Sequence, residues 1–226
     1  LRPEIKSLIS SFDGEIGKIV DGKDVELSWL VSDNSDESIL DRVLKSKFEN
    51  SFREHISYNT FFCHSFRFSG KSLTVSEFLR TNTWGRPRDV VRLLQSIQKA
   101  SPNSTTIDEQ EIKSGLDIYS TASAKEILDE LGVTYGPQIS TALKKGVTKR
   151  TYKDRNEFWR CIEGNLSGVT KDAVIDELFQ IGVIVGFTDG PPRYFAAHRG
   201  ETYLKDHHKI RIHPALWNAF SIRSEH

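Results

Sequence analysis

Between Phe158 and Ile212 the apolar spacing changes from helical to alternating in one fixed order, and few small folds accept that order. Phe158, Trp159 and Ile162 share one helical face. Thr170 caps a second helix carrying Val174, Ile175, Leu178 and Ile181. Gly182 ends that helix, and Val183–Phe187 reads as a strand. The turn Asp189-Gly190-Pro191-Pro192 sends the chain back into Tyr194–Ala197, a hairpin with a slightly long loop. Ile210–Ile212 supplies one more short strand, and Pro214 opens a terminal helix through Leu216, Trp217 and Phe220. Helix, helix, hairpin is the order of a winged helix-turn-helix.

Upstream the text is mostly helical. Ile5, Leu8, Ile9, Phe12, Ile16 and Ile19 recur at roughly helical spacing after Pro3, and Val25–Leu30 alternates like a short strand. Ile39, Leu40, Val43, Leu44 and Phe48 mark a second amphipathic helix. Ser76–Arg80 predicts a short helix. Val90, Leu93, Leu94 and Ile97 then form a buried stripe at i, i+3, i+4 and i+7. Thr106 with Glu109 fits a capping box for a long helix running towards Leu131, and Pro137–Lys145 makes one more.

Composition excludes several classes. The 226 residues are 37% hydrophobic and 27% charged, too apolar for a disordered chain. Thirty-one basic residues balance 31 acidic ones, so the chain is not devoted wholly to coating nucleic acid. No apolar run approaches the ~18 residues of a membrane span. Cys63 and Cys161 stand alone, which fits reduced, buried thiols in a cytoplasmic protein. The absent initiator Met leads us to expect a portion of a longer protein.

The segment Gly85-Arg86-Pro87-Arg88-Asp89 is chemically the most specific. Gly allows a tight turn, and Pro fixes the first turn of the helix that follows. Two arginines at a helix start oppose the helix dipole and call for an anion: a nucleotide phosphate, or surface carboxylates, Asp89 among them.

Thr83-Trp84-Gly85-Arg86-Pro87-Arg88-Asp89, followed by Val90-Val91-Arg92-Leu93-Leu94, resembles the lid-helix signature of P-loop ATPases of the AAA+ and STAND type. Leu1–Ile5 resembles the segment of these ATPases that carries a sensing arginine, and Val25–Trp29 resembles their last core strand. Glu177–Ile184 and Ile212–Leu216 resemble the winged helix that follows the lid. The resemblance implies a mainly α chain in three parts: residues 1–70 as a small remnant of an α/β nucleotide-binding core, 71–150 as a helical lid, and 151–226 as the winged helix. It also implies that Arg86 or Arg88 contacts the phosphates of ATP, that Pro87 lies near the base, that Arg2 acts as the sensing arginine, and that Gly85 belongs to the same nucleotide-sensing turn. There is no GxxxxGK[ST] loop, so ATP with its Mg would be held mainly by parts absent from this chain. Those parts would lie in the remainder of the ATPase or an adjacent protomer of an oligomer, and this portion alone should not turn ATP over. The resemblance further points to bacterial antiviral defence or nucleic-acid transactions. The rival readings are a stand-alone winged-helix DNA-binding regulator and a protein-interaction scaffold.

A basic run is the other candidate site. Lys144, Lys145, Lys149, Arg150, Lys153, Arg155 and Arg160, with Arg193 and Arg199 on the wing, could follow a phosphate backbone nonspecifically or form a solvated face. The helix from Thr170 to Ile181 is a poor base reader, since Lys171 faces Asp172, Asp176 and Glu177. His198, His207, His208 and His213 lack zinc spacing, so no metal is expected. Trp84, Trp159 and Trp217 read as core anchors.

Overall fold

The computed structural model describes residues 66–222, except 69, 105, 167 and 191–193, together with 42, 43, 45 and 46. Those four are helical, as expected over Ile39–Phe48. The expected helix over Ile5–Ile19, the strand over Val25–Leu30, Arg2, Cys63 and Arg193 lie outside the described residues.

Strands β1 (Phe66–Phe68) and β2 (Lys71–Leu73) form a small antiparallel hairpin. Helix α1 (Val75–Thr81) begins one residue earlier than the apolar pattern suggests. Thr74 caps it, and a reciprocal Thr74–Glu77 box satisfies two first-turn N–H groups. Helix α2 (Pro87–Ala100) buries Val90, Leu93 and Ile97 from the expected stripe, and Leu94 lies half-buried at its edge. Helix α3 (Glu109–Tyr135) has 27 residues, about 40 Å at 1.5 Å per residue. Its capping box is Asp108 with Glu111, not Thr106 with Glu109. Both pairs have the right spacing, but Ile107 is buried, so the chain is still entering the core there and the helix starts later. Gly115 lets α3 close on α2, because a Cβ there would overlap the Ile97 backbone. Helix α4 (Gln138–Gly146) follows a two-residue turn.

The last part has the connectivity of a winged helix. Strand β3 (Thr151–Tyr152), helix α5 (Arg155–Ile162), helix α6 (Lys171–Gln180), and strands β4 (Ile184–Phe187), β5 (Tyr194–Phe195) and β6 (Lys209–Ile212) succeed one another. The antiparallel sheet runs β3-β6-β4-β5. The expected β4–β5 hairpin therefore puts only β5 at the sheet edge, and β6 and β4 are the interior strands. The expected terminal helix is instead a 3-10 turn, Pro214–Leu216, followed by hydrogen-bonded turns. The Trp217 indole N–H donates back to the Ile212 carbonyl at 2.8 Å, and Ser221 takes a left-handed φ of 53°. The chain curls around its own tryptophan rather than continuing a helix.

The protein is mainly helical with a small sheet portion. One core joins the parts. Trp84, Leu93, Leu116, Ile139, Tyr152, Phe158, Leu178 and Trp217 belong to the same buried cluster. The C-terminal turns are pinned to α3, where the Ala219 N–H donates to Ser120 Oγ at 3.0 Å and Asn218 bonds Asp117.

Candidate functional site

The turn between α1 and α2 is built from its own side chains. Thr83 Oγ1 donates to the Leu79 carbonyl at 2.7 Å and accepts from the Gly85 N–H at 3.3 Å, while Gly85 takes a φ of +67°. This fixes Trp84 so that it points inward, 7% exposed. Its indole N–H donates to the Gly182 carbonyl at 2.9 Å, and its ring stacks on His213 at 4.7 Å with planes 14° apart. Both partners belong to the winged helix. Gly182 has a φ of +82°, and a Cβ there would overlap the indole, so glycine is required twice over.

Two residues after Trp84, Arg86 stands at the N-cap position of α2 without a side-chain capping bond, and Pro87 occupies the first helical position. A cleft of about 420 Å³ opens beside this turn, bounded by α2, α3 and Ile181. Trp84, Ile127 and Ile181 are its apolar walls, and Arg86, Arg88 and Arg92 line it with Glu126 and Glu130. Arg88 and Arg92 both pair with Glu126, at 3.0 and 2.6 Å. Burial opposes ionisation of Glu126, but Arg92 and then Arg88 outweigh it and hold the carboxyl below its usual range. Arg86 is exposed and makes no ion pair among the described residues.

Asp89, at the third position of α2, is only 6% exposed. It does not pair with its neighbours, and its Oδ2 has no hydrogen-bond partner. Burial raises its pKa, partly offset by Arg86, Arg92 and Arg88. Ser123 Oγ, on the facing side of α3, is likewise unpartnered, as is Tyr119 OH behind it. Burial, with the Asp89 charge added, pushes the Tyr119 phenol well above its usual range.

Of the expected site residues, Arg86 and Arg88 line this cleft, while Gly85 and Pro87 shape the turn beside it without lining it. Asp89, Arg92, Ser123, Glu126 and Glu130 complete it. The sequence gives a partial signal for Asp89 and Arg92, which lie in the motif and its helix, and none for the α3 residues. Lys144 and Lys145 are exposed at the end of α4, where the helix dipole favours cations.

The remaining described residues of the basic run have varied partners. Lys153 is exposed, and Lys149 pairs with Glu157 at 3.0 Å. The Arg150 guanidinium lies 4.1 Å over the Trp217 ring. Arg155, its side chain 14% exposed, bonds Asp172, Asp176 and the Leu204 carbonyl. Arg199 borders a small cavity of about 50 Å³ with Arg80, His198 and His213. Burial pulls His198 down to about 3, reinforced by Arg199 and Arg86, and burial also lowers His213 strongly. Among the described residues no group of three or more His, Cys, Asp or Glu side chains could hold a metal. Nor is any described helix long and apolar enough to cross a membrane.

Fold and cleft together define a mainly helical chain whose polar cleft lies where a helix pair meets a small winged helix. Residues 37–128 match the family model of the FunZ-associated C-terminal helical domain, less than half of the chain. The matched stretch contains the whole Thr83–Asp89 turn and the cleft residues of α3 as far as Ile127, and it fits a C-terminal region of a larger protein. No curated protein and no solved structure matches the chain.

Proposed function

We propose that this chain is the nucleotide-sensing lid and the winged-helix relay of a P-loop ATPase whose phosphate-binding loop and Mg-holding acids lie outside it. The observation that carries this reading is the single turn in which Trp84 and Arg86 are two residues apart. Arg86 faces the cleft, while Trp84 is clamped onto the winged helix through Gly182 and His213. Any anion that draws Arg86 must move or brace the turn that holds Trp84, so nucleotide state reaches the winged helix without a long pathway.

Arg88 fits the same role despite its partner. Its side chain is 67% exposed, and an exposed pair of this kind contributes at most about 1 kcal/mol. A multiply charged phosphate would compete with Glu126 successfully. Bound nucleotide and Mg would therefore be shared between this cleft and the remainder of the ATPase or an adjacent protomer.

The test uses the full natural protein. Arg86→Ala and Arg88→Ala should each weaken nucleotide binding or turnover by about 1–3 kcal/mol, the loss of a charge-assisted hydrogen bond, and Lys should not rescue a bidentate contact. Calorimetric binding and steady-state turnover read both. Unchanged affinity and turnover in both Ala variants would return the arginines to a structural role.

A further inference from the structure

The arginine rim explains an anion but leaves the bottom of the cleft unexplained. Asp89 Oδ2 and Ser123 Oγ line the cleft and are 6% and 3% exposed as residues. Asp89 Oδ2 has no partner, and Ser123 Oγ makes no hydrogen bond of normal length, although it lies near enough to the Tyr119 hydroxyl to draw that phenol's pKa back down. A buried carboxylate oxygen without a donor is costly, and proteins rarely keep one without a reason. Three guanidiniums lie close enough to shift Asp89, yet Arg88 and Arg92 are held on Glu126 at the rim instead. The floor is thus an acceptor with a hydroxyl beside it, under the indole of Trp84 and the side chains of Ile127 and Ile181. Apolar walls suit a flat ring, the floor suits an N–H or O–H donor, and the rim suits an anionic tail. The volume, about 420 Å³, falls within the ~300–1,000 Å³ range of small-ligand pockets.

We propose that Asp89 and Ser123 form a specificity floor that accepts a hydrogen bond from a donor group of the nucleotide, either a base amine or a sugar hydroxyl. This rests on the nucleotide reading above and adds discrimination to it. A site built around a buried acceptor rejects ligands lacking the matching donor, because the acceptor is then left unpaired.

The experiment measures binding of ATP, ITP, 2′-deoxy-ATP and 3′-deoxy-ATP to the full natural protein and to its Asp89→Asn and Ser123→Ala variants. Inosine lacks the exocyclic amine, and each deoxy form lacks one hydroxyl. The wild type should prefer ATP over one of these analogues by roughly tenfold to a hundredfold. Asp89→Asn, which replaces a charged acceptor by a neutral amide oxygen, should narrow that one ratio severalfold. Loss of the ATP/ITP preference identifies the base amine, and loss of a deoxy preference identifies the sugar hydroxyl. Ser123→Ala, a smaller change, should narrow the same ratio, so a misfolded Asn variant does not end the test. Wild-type ratios in both variants overturn the floor. If nucleotides bind and weaken uniformly in Arg86→Ala while those ratios stay fixed, only the floor has failed. If no nucleotide binds the wild type, the nucleotide reading has failed and the floor falls with it.

Discussion

Helices α2 and α6 both begin with polar residues around a buried apolar stripe, yet they dispose of those residues in opposite ways. On α6 nearly every polar side chain is engaged within the protein. Asp172 and Asp176 hold Arg155, Lys171 donates to Asn156 Oδ1 at 3.0 Å, and Gln180 donates to the Thr202 carbonyl at 2.7 Å. At the start of α2, Arg86 makes no ion pair among the described residues, and Asp89 keeps a buried oxygen without a donor. A satisfied surface is a finished structural element. A start that leaves charge and acceptors open has kept them for something else. The contrast is between a helix start with open polar groups and a helix whose polar groups are engaged, although in a winged helix α6 occupies the position of the DNA-reading helix.

The sharpest way to break the contrast is to cut the link between its poles. Trp84→Ala removes a buried indole, its bond to Gly182 and its stack on His213, and should cost about 3–5 kcal/mol of stability by chemical denaturation. A loss below about 1 kcal/mol would mean that the winged helix does not depend on this turn. Arg155→Ala tests the closed pole. It should cost about 1–2 kcal/mol, since three hydrogen bonds go but the carboxylates they leave are over half exposed. Nucleotide affinity should stay at the wild-type value; a drop as large as that of Arg86→Ala would erase the distinction between the two helices. The smallest effect is expected on DNA. Lys171→Ala and Gln180→Ala should leave duplex affinity within about twofold, because neither side chain is free to reach a base edge. Whatever binding exists would come from cations such as Lys144 and Lys145, would be nonspecific, and would fall steeply with salt. A sequence preference that survives higher salt and disappears in Gln180→Ala would reverse the contrast.

Periodicity made most helices legible before any coordinates, because each buries a continuous stripe. Val90, Leu93 and Ile97 are the clearest case. Local chemistry was less decisive where two signals overlapped: Thr106 and Asp108 each have a Glu three residues on, and only the burial of Ile107 chooses between them. Strand pairing could not be read at all from β6, which reaches past β5 to pair with β4 and β3. The site divided the same way. Arg86 and Arg88 announced themselves within one short motif. Glu126 lies 38 residues from the Arg88 it holds, and Ser123 comes to line the same cleft as Asp89 only through the packing of α3 against α2. Such a cleft is a product of packing, and no local pattern encodes it.

The clamp on Trp84 has an optical consequence. The indole forms a wall of the cleft, bonds a carbonyl through its N–H and lies parallel to an imidazole that burial keeps neutral. Its emission therefore depends on two contacts that both belong to the neighbouring part of the fold. A ligand entering beside the ring would alter its polarity, while a shift of Gly182 or His213 would alter its quenching. Trp84 is one of four tryptophans in the chain, so the part of a titration's emission change that disappears in Trp84→Phe would report occupancy and relay in the same signal.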